Sequence, residues 1–378
     1  MGKDQFSEFL SSVSEAPGFQ KDAFINAHLT REPVVSIRFN PAKLTGNPEI
    51  KKSLPGIEER VSWSSHGYYL KERPLFTTDP LFHAGVYYVQ EASSMFLEEA
   101  LRQSADLSQP LKVLDLCAAP GGKSTLIQSV ISPESLLVSN EVIKTRVNIL
   151  TENLTKWGAA NVVVTNNDAK DFKELPAFFD IIVVDAPCSG SGLFRKDPDA
   201  IEEWSPGNVT LCSQRQQRIL ADVFPALKQD GVLIYSTCSY SVEEDEAIAD
   251  WLIADHGVES MKLELHADWN IVETISPQHK ANGYRFYPDK LRGEGFFLSV
   301  FKKTGDAGTA SAALKASRPE KLSRQEQSVV EEYLQHTSAY SLIKFKDDVL
   351  AFTSLVQEAL PKLQSALYLK KAGVNMGN

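Results

Sequence analysis

Two of the four cysteines sit in short loops of small polar residues, Ala186-Pro187-Cys188-Ser189-Gly190 and Ser236-Thr237-Cys238-Ser239. Each loop leaves an apolar run, 180–185 and 231–236, that reads as a β-strand. Free cysteines are commonly buried and inert, whereas a thiol in a polar loop is open to reaction. If the two strands are neighbours in one parallel sheet, both thiols reach the same rim. A third segment, 113–125 (VLDLCAAPGGKST), runs an apolar strand into small residues, two glycines and a helix. Such a turn lets backbone N–H groups approach a ligand closely. Acidic residues close the later strands: Glu141 after the second, Asp168 after the third, Asp185 at the end of the fourth. An acid after strand two suits the hydroxyls of a ribose. One after strand three could accept a hydrogen bond from an adenine amino group. Singly, each reads as a helix cap or a loop carboxylate. As a set they describe a pocket for an adenosine-containing cofactor. Two other readings of the glycine turn stay open: an ordinary βα turn, and a phosphate-binding loop matched at Gly122-Lys123-Ser124. The latter needs a glycine five residues before Gly122, where Cys117 stands.

The elements that must position these groups follow from periodicity. Strands are expected at 112–116, 136–139, 161–165, 180–185 and 231–236, and helices at 123–130, 143–157, 215–227 and 243–253. Apolar strands such as Ile181, Ile182, Val183 and Val184, alternating with helices, indicate a parallel sheet covered on both faces. The expected fold class is α/β, Rossmann-like, with 271–276 and 296–302 as closing strands. Upstream, Phe6, Phe9, Leu10 and Val13 recur at helical spacing, Phe24, Ile25 and Leu29 form a second set, and 34–39 reads as a strand. These give a small α+β domain. Downstream, 304–318 (TGDAGTASAALKASR) is small and polar and reads as a linker. It leads to at least one helix and some β-like pieces, a module expected to be incomplete. The expected division is 1–105, 106–304 and 305–378.

Composition narrows the function classes. The 378 residues carry a formal net charge of -10 and are 43% hydrophobic, enough to bury a core and to exclude disordered and fibrous classes. No apolar run has membrane-spanning length, and residues 1–6 lead into neither a signal-peptide core nor a myristoylation pattern. Cys117, Cys188, Cys212 and Cys238 show no CxxC or His-spaced pattern, so neither a disulfide scaffold nor a metal site is expected. A reducing cytoplasm is the expected setting. The acidic balance argues mildly against nucleic acid, but local basic groups accompany the motifs: Arg38 and Lys43, Lys144 and Arg146, Arg195 and Lys196, Arg215 and Arg218, and Arg285, Lys290 and Arg292. Any one pair is ordinarily a solvated face; jointly they could follow phosphates.

In this order and spacing, CAAPGGKS, DAPCSGSG and STCS resemble the Nop/Sun family of RNA cytosine-5 methyltransferases, and within it the bacterial RsmF-like enzymes of small-subunit ribosomal RNA. The resemblance runs over residues 30–303 and includes SIRFN at 36–40, YVQEASS at 88–94, RFYP at 285–288 and GEGFF at 293–297. It implies a class I domain dependent on S-adenosylmethionine, an N-terminal RNA-recognition domain, and methyl transfer to carbon 5 of a cytidine in RNA. It implies Cys238 as the nucleophile at cytosine C6 and Cys188 as the group that assists breakdown of the adduct. Asp185 would bond the ring edge near N3, and Lys123 would pair with Asp185 or polarise the base carbonyl. Cofactor contacts are implied for Cys117, Ala118, Ala119, Pro120, Gly121, Gly122, Lys123, Glu141, Arg146, Asp168 and Asp185, and RNA contacts for Arg38 and Asn40. Cys117 receives no catalytic role and Cys212 a structural one. The implied partner is RNA, foremost ribosomal RNA or the small ribosomal subunit, with transfer RNA open; a monomer is the default, without membrane or metal. Two other classes stand beside it. One is a nucleotide hydrolase using Gly122-Lys123-Ser124. The other is a non-catalytic RNA-binding factor on a methyltransferase fold, against which the two intact thiols argue.

Overall fold

A computed structural model describes residues 3–30, 34–45, 48–305, 322–334, 337–345 and 348–377. Its centre is a sheet built from β1 (Lys112–Asp115), β2 (Leu136–Asn140), β3 (Val162–Thr165), β4 (Phe179–Asp185) and β5 (Leu227–Thr237). These pair in parallel in the order β5-β4-β1-β2-β3. Successive side chains bury on opposite faces. Val113, Leu137, Ile181, Val183 and Ile234 enter one core, and Leu114, Val138, Ile182, Val184 and Leu233 the other. Both faces being covered, the strands carry no polar alternation. Beyond β5 the chain adds antiparallel strands, among them β6 (Val272–Ile275), β7 (Asn282–Phe286) and β8 (Phe296–Lys303), with β8 against β5. Strand β1 pairs with β2 on one side and β4 on the other. The loops leaving them diverge there and open a crevice at the carboxyl ends, where ligands bind in such sheets.

The helices that matter for the site are α1 (Gly122–Val130), α2 (Lys144–Trp157), α3 (Pro206–Val223) and α4 (Glu246–His256). Helix α1 springs straight from the glycine turn. Gly121 has φ of +117°, in the left-handed region that glycine tolerates, and no side chain caps the helix. Helix α3 begins at Pro206, not at the expected Arg215. Ser205 caps it by accepting from Asn208 N at 3.1 Å, and Pro206 takes the first turn. Gly207, Asn208 and Thr210 are weak helix formers, which hid this start from an apolar count. The helix stops at Val223, two residues before Pro225, and β5 takes over from Leu227.

Packing crosses both domain boundaries expected from the sequence. A four-stranded antiparallel sheet forms from Ile57–Arg60, Gly67–Leu70, Val35–Phe39 and Tyr87–Val89. The helices Lys3–Ser12 and Lys21–Thr30 bury their apolar faces elsewhere, against Phe194, Trp204, Tyr240 and Tyr287. The ring of Phe9 lies edge-on to Phe194 at 5.1 Å, and that of Phe24 edge-on to Tyr240 at 5.1 Å. These helices therefore brace the loops that follow β4 and β5. At the other end, β9 (Leu369–Ala372) pairs antiparallel with β3, covering what would be an open sheet edge. The helix Ser354–Ala366 sends Val356, Leu360 and Leu363 into the core that holds Ile182 and Leu233. A small sheet of Ser341–Phe345, Asp348–Phe352 and Val374–Gly377 stands beside it. The linker expected at 304–318 lies, from residue 306 onward, outside the described residues. Among the described residues no helix is long and apolar enough to cross a membrane.

Candidate active site

Strands β4 and β5 are parallel neighbours in a register that sets Asp185 beside Ser236. Their exit loops therefore run side by side, and the Cys188 and Cys238 sulfurs stand 3.1 Å apart. Both thiols line a cavity of about 520 Å³ together with Cys117, Ala119, Glu141, Arg146, Asp168 and Asp185. An adjoining cavity of about 170 Å³ is lined by Ala118, Ala119, Pro120, Gly122, Lys123 and Asp185. Asp185 borders both. Gly121 lines neither and makes the turn.

Asp185 is fixed from two sides. Lys123 Nζ donates to its Oδ2 at 2.7 Å, and Ser236 Oγ donates to its Oδ1 at 2.8 Å. Burial disfavours the Lys123 ammonium, but the Asp185 carboxylate outweighs it and the net shift is upward. Lys123 thus stays cationic beside the thiols. On the cofactor side, Arg146 Nη2 donates to Ala119 O at 2.7 Å while Nη1 lies 3.7 Å from Glu141 Oε2. Glu141 Oε1 accepts from Ile143 N at 2.9 Å. Asp168 caps the short helix Ala169–Glu174 and also faces the cavity, so the capping and pocket readings both hold for it.

The four thiols differ. Burial pushes Cys117 well above the ordinary thiol range, which keeps it protonated and inert. Cys212 is buried on α3, its sulfur 3.8 Å from Asn208 Oδ1. Cys188 is raised well above its usual value, first by its contact with Cys238, then by burial, with the Glu244 charge adding to both. It holds its proton and can donate it to a Cys238 thiolate.

Sequence reasoning missed two acids. Glu244 is fully buried behind both cysteine loops and accepts hydrogen bonds from Ser189 and Ser239. Burial raises its carboxyl, and the hydrogen bonds it accepts oppose that shift. It sits in the run Glu243-Glu244-Asp245-Glu246, which reads as a solvated helix start. Asp115 ends β1 and is buried; Ser124 Oγ donates to its Oδ2 at 2.6 Å, and Oδ1 has no partner. Burial pushes this carboxyl up to about 7. A raised acid contributes stability that is fully present below its unfolded value and is lost as pH rises through the folded one. Asp115→Asn removes that ionisation. Between about pH 5 and pH 8 the wild type should lose about 2 to 3 kcal/mol of stability relative to Asp115→Asn. Denaturant unfolding of both proteins at the two pH values measures this; a difference independent of pH would contradict it.

Two expected RNA contacts are placed elsewhere. Arg38 is 1% exposed and bonds Gln90 Oε1, Ser129 Oγ and Thr125 Oγ1 at 2.6–3.0 Å, with Trp157 stacked on its guanidinium. Asn40 is also buried, capping the turn Pro41–Leu44 and donating to Gly85 O and Trp157 O. An arginine in a strand otherwise exposed to RNA and an arginine tying two layers together look alike in sequence. Here both residues fasten the N-terminal sheet to α1 and α2. Of the basic groups near the motifs, Arg285 is buried against Asp245 and Glu246, Arg195 pairs with Glu294, and Arg292 with Glu58 and Glu59. Arg215 and Arg218 are exposed and line the larger cavity, Arg218 lying 3.5 Å from Asp168 Oδ1 and 3.7 Å from Asp222 Oδ2.

Comparison with known proteins places this architecture. Residues 105–302 match the family model of the 16S rRNA methyltransferase RsmB/F, and residues 6–92 that of the N-terminal domain of 16S rRNA methyltransferase RsmF. The chain is 35% identical over 300 residues to a ribosomal RNA small subunit methyltransferase F of Aeromonas salmonicida, covering 74% of this chain and 62% of that one. It is 34% identical over 325 residues to a protein of the same name from Psychromonas ingrahamii, covering 82% and 66%. The chain thus spans somewhat under two thirds of the length of these relatives. A solved methyltransferase homolog from Pyrococcus horikoshii superposes with a TM-score of 0.66 at 27% identity, over 80% of this chain and 100% of that one. With a single family model covering the five parallel strands and both cysteine loops, the chain belongs to the RsmB/F family of 16S rRNA methyltransferases.

Proposed function

We propose that this protein transfers a methyl group from S-adenosylmethionine to carbon 5 of a cytidine in small-subunit ribosomal RNA. The observation that carries the proposal is the pair of thiols 3.1 Å apart beside the Lys123–Asp185 pair, at the rim of the cavity that holds Glu141 and Asp168. The donor set of that cavity fits the cofactor. Glu141 suits the ribose hydroxyls, Asp168 the adenine amino group, and the small residues of the 117–122 turn leave room for close approach. When bound, S-adenosylmethionine supplies an electrophilic methyl group.

Cytosine C5 is a poor nucleophile, and this chain's residues answer that. The target base must leave its stack to reach the rim. The Cys238 thiolate adds to C6, forming a sulfur–carbon bond and making C5 enamine-like. Asp185, positioned by Lys123 and Ser236, lies at the ring edge near N3, and in its protonated form it donates to N3, which gains charge as the sulfur adds, and so supports that addition. After methylation the C5 proton must leave and the sulfur–C6 bond must break. Cys188 assists this step, as the base or through a base nearby. The contact with Cys238 is the first cause of the raised Cys188 value. Once Cys238 is bonded to the base, that cause is gone and Cys188 is freer to ionise.

Arg215 and Arg218 flank the same opening and suit the phosphates around an unstacked nucleotide. Arg215→Ala should weaken RNA binding and lower the slope of log K against log salt by about 0.7, the value for one single-strand phosphate. Cofactor affinity should not change. Filter binding over a salt series reads this; an unchanged slope would remove Arg215 from the RNA path. A monomer is the default reading, and a ribosomal substrate suits a reaction in the cytoplasm.

Labelled methyl transfer to purified small-subunit RNA and to assembled small-subunit particles tests the reading, with nuclease digestion to identify the product. Label in 5-methylcytidine is expected on one or both. Label in another nucleotide, or none on either despite bound cofactor, would overturn it.

A further inference from the structure

Behind the two thiols lies a buried carboxylate that touches neither of them and does not line the cavity. Glu244 Oε1 accepts from Ser189 N at 2.9 Å and from Gln216 Nε2 at 3.1 Å. Its Oε2 accepts from the Ser189 hydroxyl and from Ser239 Oγ, the latter at 2.7 Å. Ser189 follows Cys188 and Ser239 follows Cys238, so one carboxylate holds the residue after each thiol. Gln216 Nε2 also donates to Pro187 O at 3.1 Å, which secures the residue before Cys188. Tyr235 Oη donates to the Glu244 carbonyl at 2.6 Å, anchoring this point to β5. The loops are in direct contact besides. Gly192 N donates to Cys238 O at 2.8 Å, and a Cβ at Gly192 would lie 2.7 Å from that oxygen.

Resting on the methyltransferase reading, we propose that Glu244 is a positioning residue that sets the separation of Cys188 and Cys238 by accepting hydrogen bonds from both loops. Its work is geometric and not proton transfer. Four donors converge on it: three belong to the residues that follow the two thiols, and the fourth, Gln216 on α3, also holds the residue before Cys188. A shift of about 1 Å in such a group can cost about a hundredfold in rate.

Two substitutions separate geometry from charge. Glu244→Gln keeps the shape. Its amide oxygen can accept from Ser189 N and Gln216 Nε2, and its NH₂ can donate to the two serine hydroxyls, which rotate to accept. Glu244→Ala leaves the donors unpaired. Two readouts are compared. One is kcat with the KM values for RNA and cofactor. The other is the rate at which diamide, a diazene oxidant, joins Cys188 to Cys238, located by peptide mapping. That reaction takes one hydrogen from each thiol, forms the S–S bond and leaves the hydrazine, and it requires neither RNA nor cofactor. Glu244→Ala should lower both kcat and the disulfide rate by about tenfold or more with KM nearly unchanged, and Glu244→Gln should restore both to within about threefold of wild type. If Glu244→Gln is as slow as Glu244→Ala, charge and not geometry matters and the proposal fails. If Glu244→Ala leaves the disulfide rate unchanged, the tie does not set the sulfur separation and the proposal also fails. Should Glu244→Ala not fold, Ser239→Ala cuts one tie alone and must slow the disulfide rate by a smaller factor, and no slowing would again refute the role. Absence of methylation on every RNA, with the disulfide rates as expected, would fault the methyltransferase reading and leave the positioning role standing.

Discussion

Cys238→Ala is expected to lower methyl transfer by a factor of about 10⁴ or more, because without the sulfur no adduct forms at C6 and C5 stays unactivated. Cofactor affinity should stay within about twofold, since Glu141 and Asp168, the groups proposed to hold the adenosyl part, lie on other loops. The fold should also persist. Cys238 is half-buried at a loop, and its loop is held through Thr237, Ser239 and the Cys238 carbonyl, none of which the substitution removes. Single-turnover transfer of labelled methyl, with calorimetry for the cofactor, measures both. Residual activity above about one part in a hundred would mean that another group attacks the ring.

Cys188→Ala should behave in the opposite way. Attack by Cys238 and methylation remain possible, but release is impaired, so the RNA stays bonded to the protein. A slow-migrating band in a denaturing gel is the expected readout, present with Cys188→Ala and absent from the double variant lacking Cys238. Turnover should fall by about 10² to 10⁴, the range for losing a proton-transfer group. The asymmetry has a physical basis here: Cys188 is the thiol whose proton is held by its neighbour and by burial. If Cys238→Ala alone traps the adduct, the roles of the two thiols are exchanged.

Much of this was legible in the sequence, for identifiable reasons. Strands β1 to β5 are buried on both faces, so their apolar runs stand out and their ends locate Asp185, Cys188 and Cys238 within three residues. The glycine turn and the acids at Glu141 and Asp168 follow from strand ends in the same way. What failed was whatever depends on contacts between segments far apart in the chain. Arg38 looked like an RNA contact because its partners, Ser129 and Thr125, come from a helix some ninety residues on (separations of 91 and 87). Glu244 carries no signal in the sequence because its role depends on two loops that only the parallel β4–β5 register brings together. The N-terminal helices likewise pack on distant segments, their aromatic rings against Phe194 and Tyr240, contacts that helical spacing alone does not show. Helix α3 lost its first two turns to weak helix formers, although Ser205-Pro206 carried the start signal.

The most direct measurement uses small-subunit RNA substituted with 5-fluorocytidine, together with the unmodified full chain and S-adenosylmethionine. Fluorine at C5 cannot leave as a proton, so a reaction proceeding through C6 addition must stop at the covalent stage. Protease digestion and mass spectrometry then identify the residue bonded to the nucleotide. The account predicts a methylated fluorocytidine adduct on the peptide containing Cys238. An adduct on the Cys188 peptide, or cofactor consumption without any protein-linked RNA, would contradict it.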